Sequence, residues 1–294
     1  MTLILSSLSQ GLLWSVMAIG VYITFRILDI ADLTAEGSYP LGAAICATGI
    51  VSGVNPLLAT LMAFGGGLLA GLISGLIHTK LKIPALLTGI ITLTGLYSIN
   101  LKVLGKANVA LLGQKTLVTQ LYDLGFTKLA AVIILGVLVT LIVILLLTLL
   151  MKTQIGLALR STGDNIPMSA SNGIDTDKMK ILGYMISNGL IALCGALLSQ
   201  NNGYADLNSG VGTIVIGLAS IIIAEVVIRN LSIGWRLLSI VLGSIIYRLI
   251  ILAILSIPGM DADLVKLFSA ILLATVLFVP ELQKKLNIHK PKLG

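Results

Sequence analysis

The stretch LAAVIILGVLVTLIVILLLTLLM, residues 129–151, decides the fold class of this chain. Its apolar side chains cover every face of a helix, and the run exceeds the roughly 20 residues that cross a bilayer as an α-helix. A β-barrel would instead alternate apolar and polar residues in short segments. The stretch therefore predicts a membrane-spanning helix.

The composition extends this prediction to the whole chain of 294 residues. Hydrophobic residues make up 57% of it and charged residues only 11%, and the mean hydropathy is +1.07. Soluble domains carry about 25% charged residues, so this chain has too few to cover a water-exposed surface. We predict an all-α, polytopic transmembrane helical bundle of about 8–10 spans, forming a single domain over residues 1–294.

The apolar runs place nine candidate spans along the chain, at residues 8–25, 38–54, 57–77, 84–104, 129–151, 181–200, 213–228, 236–256 and 265–280. We allow for broken or re-entrant helices at the Gly-rich segments near 37–49 and 203–217. Gly67, Gly71 and Gly75 recur every four residues, which indicates a helix face that another backbone approaches closely.

A faint internal repeat accompanies the Gly-rich segments. Asp32-Leu33-Thr34-Ala35-Glu36-Gly37 leads into one apolar run, and Asp206-Leu207-Asn208-Ser209-Gly210 leads into another. Transporters often contain repeated halves whose interrupted helices lie near the substrate path. A chance likeness between two Gly-rich membrane turns is the alternative interpretation.

Basic residues predict the orientation, because cytoplasmic loops retain Lys and Arg. One alternating assignment puts the N-terminus outside and collects 13 of the 19 basic residues inside, with the basic tail at 281–294. These are Arg26, Lys80, Lys82, Lys152, Arg160, Lys178, Lys180, Arg229, Arg236, Lys284, Lys285, Lys290 and Lys292. The formal charge of +7 is thus interpreted as a topology signal, with no nucleic-acid partner. The first apolar run lacks the flanks of a signal peptide and is expected to be a retained span.

The longest polar interruption is GLALRSTGDNIPMSASNGID, at 156–175. Asn165 is a good N-cap residue, and Pro167 suits the first turn of a helix. Gly173 can adopt the left-handed conformation that ends a helix. These signals predict a two-turn helix over IPMSAS, inside a cytoplasmic loop at 152–180. The segment is either a solvated connector or a rigid knob that a partner grips.

Two groups of residues resemble the permease subunits of bacterial ABC importers in the branched-chain amino acid and ribose permease family. The segment FRILDIADLTAEGSYPLGAA (25–44) resembles that family's motif of an acidic residue, a small-residue turn and a Gly-rich span. Its first part, FRILDIADLT, together with GLASIIIAEVV (217–227), is more closely similar to the tryptophan or tyrosine uptake permeases. The polar segment carries the pattern G-x-x-x-R-x-x-G-x-N and the residues after it, namely Gly156, Arg160, Gly163, Asn165, Ala170, Gly173 and Ile174.

The resemblance implies a multi-pass transport subunit of the bacterial plasma (inner) membrane. Its polar segment would be the coupling helix that docks on a separate cytoplasmic ABC ATPase. A second permease copy, identical or homologous, would complete the pathway, and an extracellular substrate-binding lipoprotein or periplasmic protein would deliver the solute. The resemblance points to an aromatic amino acid, with other amino acids, sugars and nucleosides as alternatives. The implied coupling residues are Gly156, Arg160, Gly163, Asn165, Pro167, Ala170, Gly173 and Ile174.

The motifs argue against an enzyme. A phosphate-binding loop needs Gly-Lys followed directly by Ser or Thr, and the nearest match, GQKT at 113–116, lacks that adjacency. His78 and His289 stand singly beside lysines, and Cys46 and Cys194 lie in apolar runs as small core residues. We expect no metal or cofactor in this chain, with ATP and Mg²⁺ on the partner ATPase.

Polar residues in or near the spans are candidates for the solute pathway, because a charge at that depth is costly. Arg248 could meet a substrate carboxylate, pair with Asp261 or Asp263, or extend toward the membrane surface. The candidates are Asp32, Glu36, Asn100, Asn188, Glu225, Tyr247 and Arg248.

Bracing ion pairs are the simpler interpretation of several of these residues. Glu225 lies one helical turn from Arg229, and the successive residues Arg26, Asp29, Asp32 and Glu36 are three or four positions apart, which permits mutual pairing in a helix. An ion-driven secondary transporter is the rival hypothesis, and it would need an intramembrane ion site, for which Glu225 is the best-placed acid. A membrane scaffold without transport is the third hypothesis.

Overall fold

A computed structural model describes residues 2–228, 231–256 and 264–288 of the chain. Its strands are β1 (Asn108–Ala110) and β2 (Tyr204–Asp206), which pair antiparallel with Asn108 opposite Asp206. Its helices are α1 (Thr2–Tyr22), α2 (Ala35–Val51), α3 (Pro56–Lys80), α4 (Ala85–Leu104), α5 (Leu117–Asp123), α6 (Lys128–Lys152), α7 (Gln154–Asp164), α8 (Ile166–Ser171), α9 (Thr176–Asn202), α10 (Thr213–Val227), α11 (Ile233–Leu255) and α12 (Val265–Ile288).

Seven of the described helices are long and apolar enough to cross a membrane: α1, α3, α4, α6, α9, α10 and α11. The π-helical turn Ile23–Ile27 extends α1, and the 3-10 turn Leu207–Gly210 precedes α10. Two further helices are shorter, since α2 has 17 residues and the apolar part of α12 is Val265–Phe278. Each predicted span therefore coincides with a helix, and the all-α polytopic bundle is confirmed.

The surface of α6 is suited to lipid and not to water. The helix has a mean hydropathy of 3.3 over its most apolar window. Its side chains Leu138, Leu141, Leu145 and Leu146 are all more than half exposed. An apolar surface of this kind marks a membrane or protein contact, and lipid chains would cover it.

The helix α9 lies at the centre of the bundle and packs against α1, α2 and α3. Glycines allow the closest of these contacts. Gly67 and Gly71 of α3 lie against the backbone carbonyls of Asn188 and Tyr184, and Gly75 continues the same face one turn further. The predicted close-contact face of α3 is thus confirmed.

The helix break expected near residues 37–49 lies elsewhere. Helix α2 runs continuously through that segment, and the interruption comes before it, at residues 28–34. The glycines serve packing instead, because a Cβ at Gly42 would overlap the carbonyl of Ala192. Near residues 203–217 the chain is interrupted as expected, by β2 and the 3-10 turn.

The end of the bundle that carries α7 and α8 is called here the α8 end. Gly163 of α7 contacts the carbonyl of Ile27 at this end. Lys80, the last residue of α3, pairs there with Asp177 at the start of α9, at 3.1 Å. The predicted basic tail, residues 281–294, lies partly in α12 and partly outside the described residues.

Candidate functional site

Helix α8 has six residues and lies where the sequence predicts a short helix. The Asn165 side chain caps it, accepting a hydrogen bond from the backbone N–H of Met168 at 2.9 Å. Pro167 occupies the first turn, where a missing N–H is tolerated. Gly173 has a φ of +80°, and the chain turns there toward α9. Since so short a helix is unstable alone in water, these caps and the packing of α7 hold it in place.

Helix α7 precedes α8 and is not predicted by the sequence patterns. Thr153 separates it from α6 and caps it, accepting a hydrogen bond from the N–H of Gly156 at 3.3 Å. Gly156 packs against the carbonyl of Leu150, and Gly163 packs against the carbonyl of Ile27. Because a Cβ at either glycine would overlap backbone atoms, α7 is held directly against the ends of α6 and of the first span.

The outer faces of α7 and α8 expose apolar side chains. Arg160 of α7 is exposed and, together with Lys152, lines a groove of about 810 Å³ between α6, α7 and the start of α11. Ala170 is exposed, and Ile174 is half-buried. Exposed apolar groups rimmed by charges are typical of contact sites for other proteins. Four large side chains are between 43% and 55% exposed: Ile155, Leu157, Ile166 and Met168.

Hydrogen bonds and ion pairs fix the return from α8 to α9. The Asp175 side chain accepts a hydrogen bond from the backbone N–H of Lys178 at 3.1 Å, and the Lys178 ammonium lies 3.0 Å from the same carboxylate. The backbone hydrogen bond is the main reason that the pKa of Asp175 lies below its ordinary value. These groups are exposed, so the contacts set position more than stability.

Asp32 and Asn188 lie together in a buried hydrogen-bond cluster. Asn188 donates from Nδ2 to Asp32 at 2.8 Å and accepts at Oδ1 from the Ser38 hydroxyl at 2.7 Å. Asp32 also accepts from the N–H of Thr34 at 2.9 Å, and the Thr34 hydroxyl lies 2.9 Å from that of Ser74. The cluster joins the interrupted segment to α2, α3 and α9. A pathway role for these two residues stays a prediction.

Glu36 lies in the first turn of α2, beside the start of α10. Its carboxylate accepts a hydrogen bond from the N–H of Gly212, just before α10, at 2.9 Å. The turns that lead into α2 and α10 have the same form. Asp32 and Asp206 each accept a hydrogen bond from the N–H two residues later, at 2.9 and 2.6 Å. The faint sequence repeat thus corresponds to a repeated local structure at two helix interruptions.

Glu225 is paired with Arg26. The Nε and Nη2 atoms of Arg26 donate to the Glu225 carboxylate at 2.8 and 3.0 Å, joining the π-helical turn to the end of α10. The sequence predicts that Arg26 pairs with an acid of its own segment, but in the structure it pairs with Glu225 of another helix. The other predicted partner of Glu225, Arg229, lies outside the described residues.

Asn100 and Tyr247 are buried and bonded to neighbouring helices. Asn100 donates from Nδ2 to the carbonyl of Gly37 at 3.1 Å, which joins α4 to α2. Tyr247 donates from its hydroxyl to Ser269 at 2.7 Å, which joins α11 to α12. Both side chains therefore bond helix to helix in this structure, and their place in the pathway stays a prediction.

Arg248 lies beside an aromatic pair that sequence reasoning missed. Its guanidinium carbon is 4.9 Å from the ring centre of Trp14. Trp14 in turn stacks on Tyr39, with 5.4 Å between ring centres and 11° between ring planes. Since the three residues belong to three different helices, with α11 far along the chain from α1 and α2, no spacing could have grouped them. Asp261 and Asp263, the predicted acid partners, lie outside the described residues.

The described part of the chain contains no cluster of three or more His, Cys, Asp or Glu residues that could hold a metal ion. His78 has its Nδ1 atom 2.8 Å from the carbonyl of Ile83, in the turn between α3 and α4. Cys46 and Cys194 are buried with free thiols, as expected for small core residues.

These features define a class of protein. A bundle of apolar helices that is interrupted at two turns joined by the Glu36–Gly212 hydrogen bond, and that exposes apolar side chains at one end, is typical of a multi-pass membrane transport protein. The family is then given by comparison with known proteins. The chain belongs to the family described as "Branched-chain amino acid transport system / permease component", whose profile matches residues 3–277.

Individual relatives are similar over most of the chain. It is 42% identical over 290 residues to the "Tyrosine transport system permease protein" of Clostridioides difficile (strain R20291), covering 99% of this chain and 95% of that one. An uncharacterised protein of Rickettsia prowazekii (strain Madrid E) is 34% identical over 93% of this chain and 96% of its own length. The autoinducer 2 import system permease protein of Yersinia enterocolitica is 27% identical, and the match covers 76% of this chain and 60% of that protein. No solved structure matches the chain significantly.

Proposed function

We propose that this chain is the transmembrane permease subunit of an ATP-binding cassette importer, and that α7 and α8 dock on a separate cytoplasmic ATPase. The observation that carries the proposal is the construction of these two helices. Helix α8 is capped at its start and followed by a left-handed glycine, α7 is fixed to the first span, and both expose apolar side chains. Membership of the permease family supports the same conclusion.

The anchoring of α7 gives docking a mechanical consequence. Gly163 contacts the carbonyl of Ile27, and Arg26 in the same turn pairs with Glu225 of α10. A displacement of α7 by the ATPase would therefore move the ends of α1 and α10 together. Both helices continue into the bundle, so closure of the ATPase pair would switch the pathway. ATP and Mg²⁺ bind the partner, and this chain supplies the surface on which that partner docks.

We infer the assembly and orientation from the same end of the bundle. The α8 end carries Lys80, Lys152, Arg160 and Lys178, and basic residues collect on the cytoplasmic side of a membrane. The N-terminus then lies outside the bacterial plasma membrane. A second permease copy completes the pathway, and an extracellular substrate-binding protein delivers the solute to the face opposite the ATPase.

The proposed solute is an aromatic amino acid, tyrosine or tryptophan. Support comes from a relative that is 42% identical and named for tyrosine transport. A sugar or nucleoside is the alternative within the family. An ion-driven transporter has less support, because Glu225, the acid best placed for an ion, already lies 2.8 Å from Arg26.

Import by the reconstituted complex tests this function. The chain, its ATPase and its binding protein are placed in vesicles, and uptake of L-tyrosine, L-tryptophan, ribose and adenosine is compared. We expect uptake of an aromatic amino acid that requires ATP and survives ionophores. Uptake that needs no ATP and stops with the membrane potential would instead establish the ion-driven transporter.

A further inference from the structure

The environment of Arg248 differs from that of the other charged candidates for the pathway. Arg248 lies within α11, where an arginine in a span is costly unless something compensates it. Its guanidinium covers one ring of the stacked pair Trp14 and Tyr39. A cation over an aromatic ring is partly stabilised by the ring quadrupole, but the interaction leaves the N–H donors of the guanidinium unused.

Two hydrogen-bond donors are unsatisfied at this position. The Nε atom of Arg248 and the Nε1 atom of Trp14 are both buried, and neither has a hydrogen-bond partner among the described residues. Trp14 is only 8% exposed. Buried donors in native proteins are nearly always hydrogen-bonded. The unbonded N–H groups of Arg248 and Trp14, on neighbouring side chains, therefore indicate that an acceptor binds here.

The neighbouring polar groups do not supply that acceptor. The Tyr247 hydroxyl is bonded to Ser269 and the Cys194 thiol to the carbonyl of Leu13, and neither group accepts a hydrogen bond from Nε of Arg248 or Nε1 of Trp14. The described residues place no Asp or Glu in an ion pair with Arg248. An anionic acceptor with two oxygens fits the planar donor edge of a guanidinium better than any neutral group.

We propose that Arg248 and the indole N–H of Trp14 bind the carboxylate of the transported solute. The inference rests on the proposed function and sharpens it, because sugars and nucleosides carry no carboxylate. The solute class is therefore an amino acid, recognised at the junction of α1, α2 and α11. The stacked rings of Trp14 and Tyr39 hold both donors in place, and Arg248 offsets the charge of the carboxylate inside the membrane.

The chain offers a built-in reporter for this site. It has two tryptophans, Trp14 and Trp235. Trp235 is 65% exposed and lies on α11 roughly 20 Å along the helix from Arg248. In Trp235→Phe the remaining indole is that of the proposed site. Excitation at the red edge of absorption then reports Trp14 without exciting added tyrosine.

The experiment compares each amino acid with the amine that lacks its carboxylate. The purified Trp235→Phe chain, without its partner subunits, is placed in lipid nanodiscs and titrated with L-tyrosine and tyramine, L-phenylalanine and phenethylamine, and L-leucine and isoamylamine. We expect a saturable change in Trp14 fluorescence with at least one amino acid and none with its amine. Equal responses within every pair, or no response to any amino acid, would overturn the carboxylate site.

Variants of Arg248 separate binding from folding. Arg248→Gln is expected to raise the Kd obtained from the fluorescence titration roughly 10- to 100-fold, the usual range for losing a charged hydrogen bond. Arg248→Lys keeps the charge without the planar fork, so it should bind with intermediate affinity even if the glutamine variant fails to fold. Full affinity in Arg248→Lys and in a folded Arg248→Gln would overturn the assignment.

Two further outcomes separate this inference from the proposed function. If vesicles import L-tyrosine while Trp14 fails to respond, the importer stands and the carboxylate site is wrong. If L-tyrosine is not imported but another amino acid gives the Arg248-dependent response, the solute is corrected and the site stands.

An acidic residue of this chain is the rival partner for Arg248. If Asp261→Asn or Asp263→Asn restores folding to Arg248→Gln without any response to carboxylates, Arg248 pairs with that acid and the site is wrong.

Discussion

Replacing Gly163 by alanine is expected to lower ATP-driven import roughly 5- to 150-fold, the range of ordinary coupling energies. In most helices this substitution is stabilising, because alanine is favoured over glycine by about 1 kcal/mol. At Gly163 the added Cβ would overlap the carbonyl oxygen of Ile27. Overpacking of this kind costs about 1–3 kcal/mol and would push α7 away from the first span. Import and ATP hydrolysis per complex are measured in vesicles.

The matched control is Gly65→Ala, a glycine of α3 at which an added Cβ meets no atom within 4 Å. Its import should equal that of the unchanged protein. Gly163→Ala should insert normally because α7 lies outside the spans, and Gly65→Ala because its added methyl group meets no other atom of α3's neighbours. Coupled import at the normal rate in Gly163→Ala would show that the contact with Ile27 does not transmit motion.

The charge reversal Arg160→Glu tests the same surface without disturbing packing. Arg160 is exposed, so its replacement should leave the melting temperature nearly unchanged. Binding of the ATPase should nevertheless weaken, since the groove shared with Lys152 loses its positive charge. If Arg160→Glu and Gly163→Ala both retain normal coupled uptake, α7 and α8 are not the docking site.

Replacing Asn188 by alanine is expected to destabilise the protein by roughly 3 kcal/mol, because buried polar groups would lose their partners. Asp32 would lose the donor at 2.8 Å, and the Ser38 hydroxyl would lose its acceptor at 2.7 Å. For a chain of this size the apparent melting temperature should fall by roughly 5–10 °C. Thermal unfolding in mild detergent measures the change.

The control for Asn188→Ala lies on the same helix. Asn202, at the end of α9, is exposed, and Asn202→Ala should leave the melting temperature within about 1 °C, as surface changes usually do. An unchanged melting temperature for Asn188→Ala, together with lost import, would contradict the structural role of the cluster. That result would place Asn188 in the solute pathway.

The features predictable from the sequence are those set by neighbouring residues. Long apolar runs suffice to locate the spans, since a helix across lipid must satisfy its own backbone hydrogen bonds. The caps of α8 were equally local, because Asn165, Pro167 and Gly173 act within one turn of their own positions. The glycine face of α3 followed from the four-residue spacing alone.

Long-range partners could not be predicted in this way. Glu225 pairs with Arg26, which is 199 positions away, and no periodicity links two such residues. Trp14 lies in an apolar run that no spacing relates to α11, and only the fold brings it beside Arg248. Helix α7 was missed because its two small contact residues, Gly156 and Gly163, make a poor helix pattern until their neighbours are known.

The central claim is that this chain works with a separate ATPase that docks on α7 and α8. The most direct measurement is purification of the unaltered chain from its native membrane in mild detergent, with identification of the co-purifying subunits and assay of ATP hydrolysis. We expect a stoichiometric nucleotide-binding subunit with the unaltered chain, and, in a second preparation with cysteines in place of Ile166 and Met168, cross-links from those positions to the same subunit. A chain that purifies alone from every mild detergent, without ATPase activity, would contradict it and favour the ion-driven transporter.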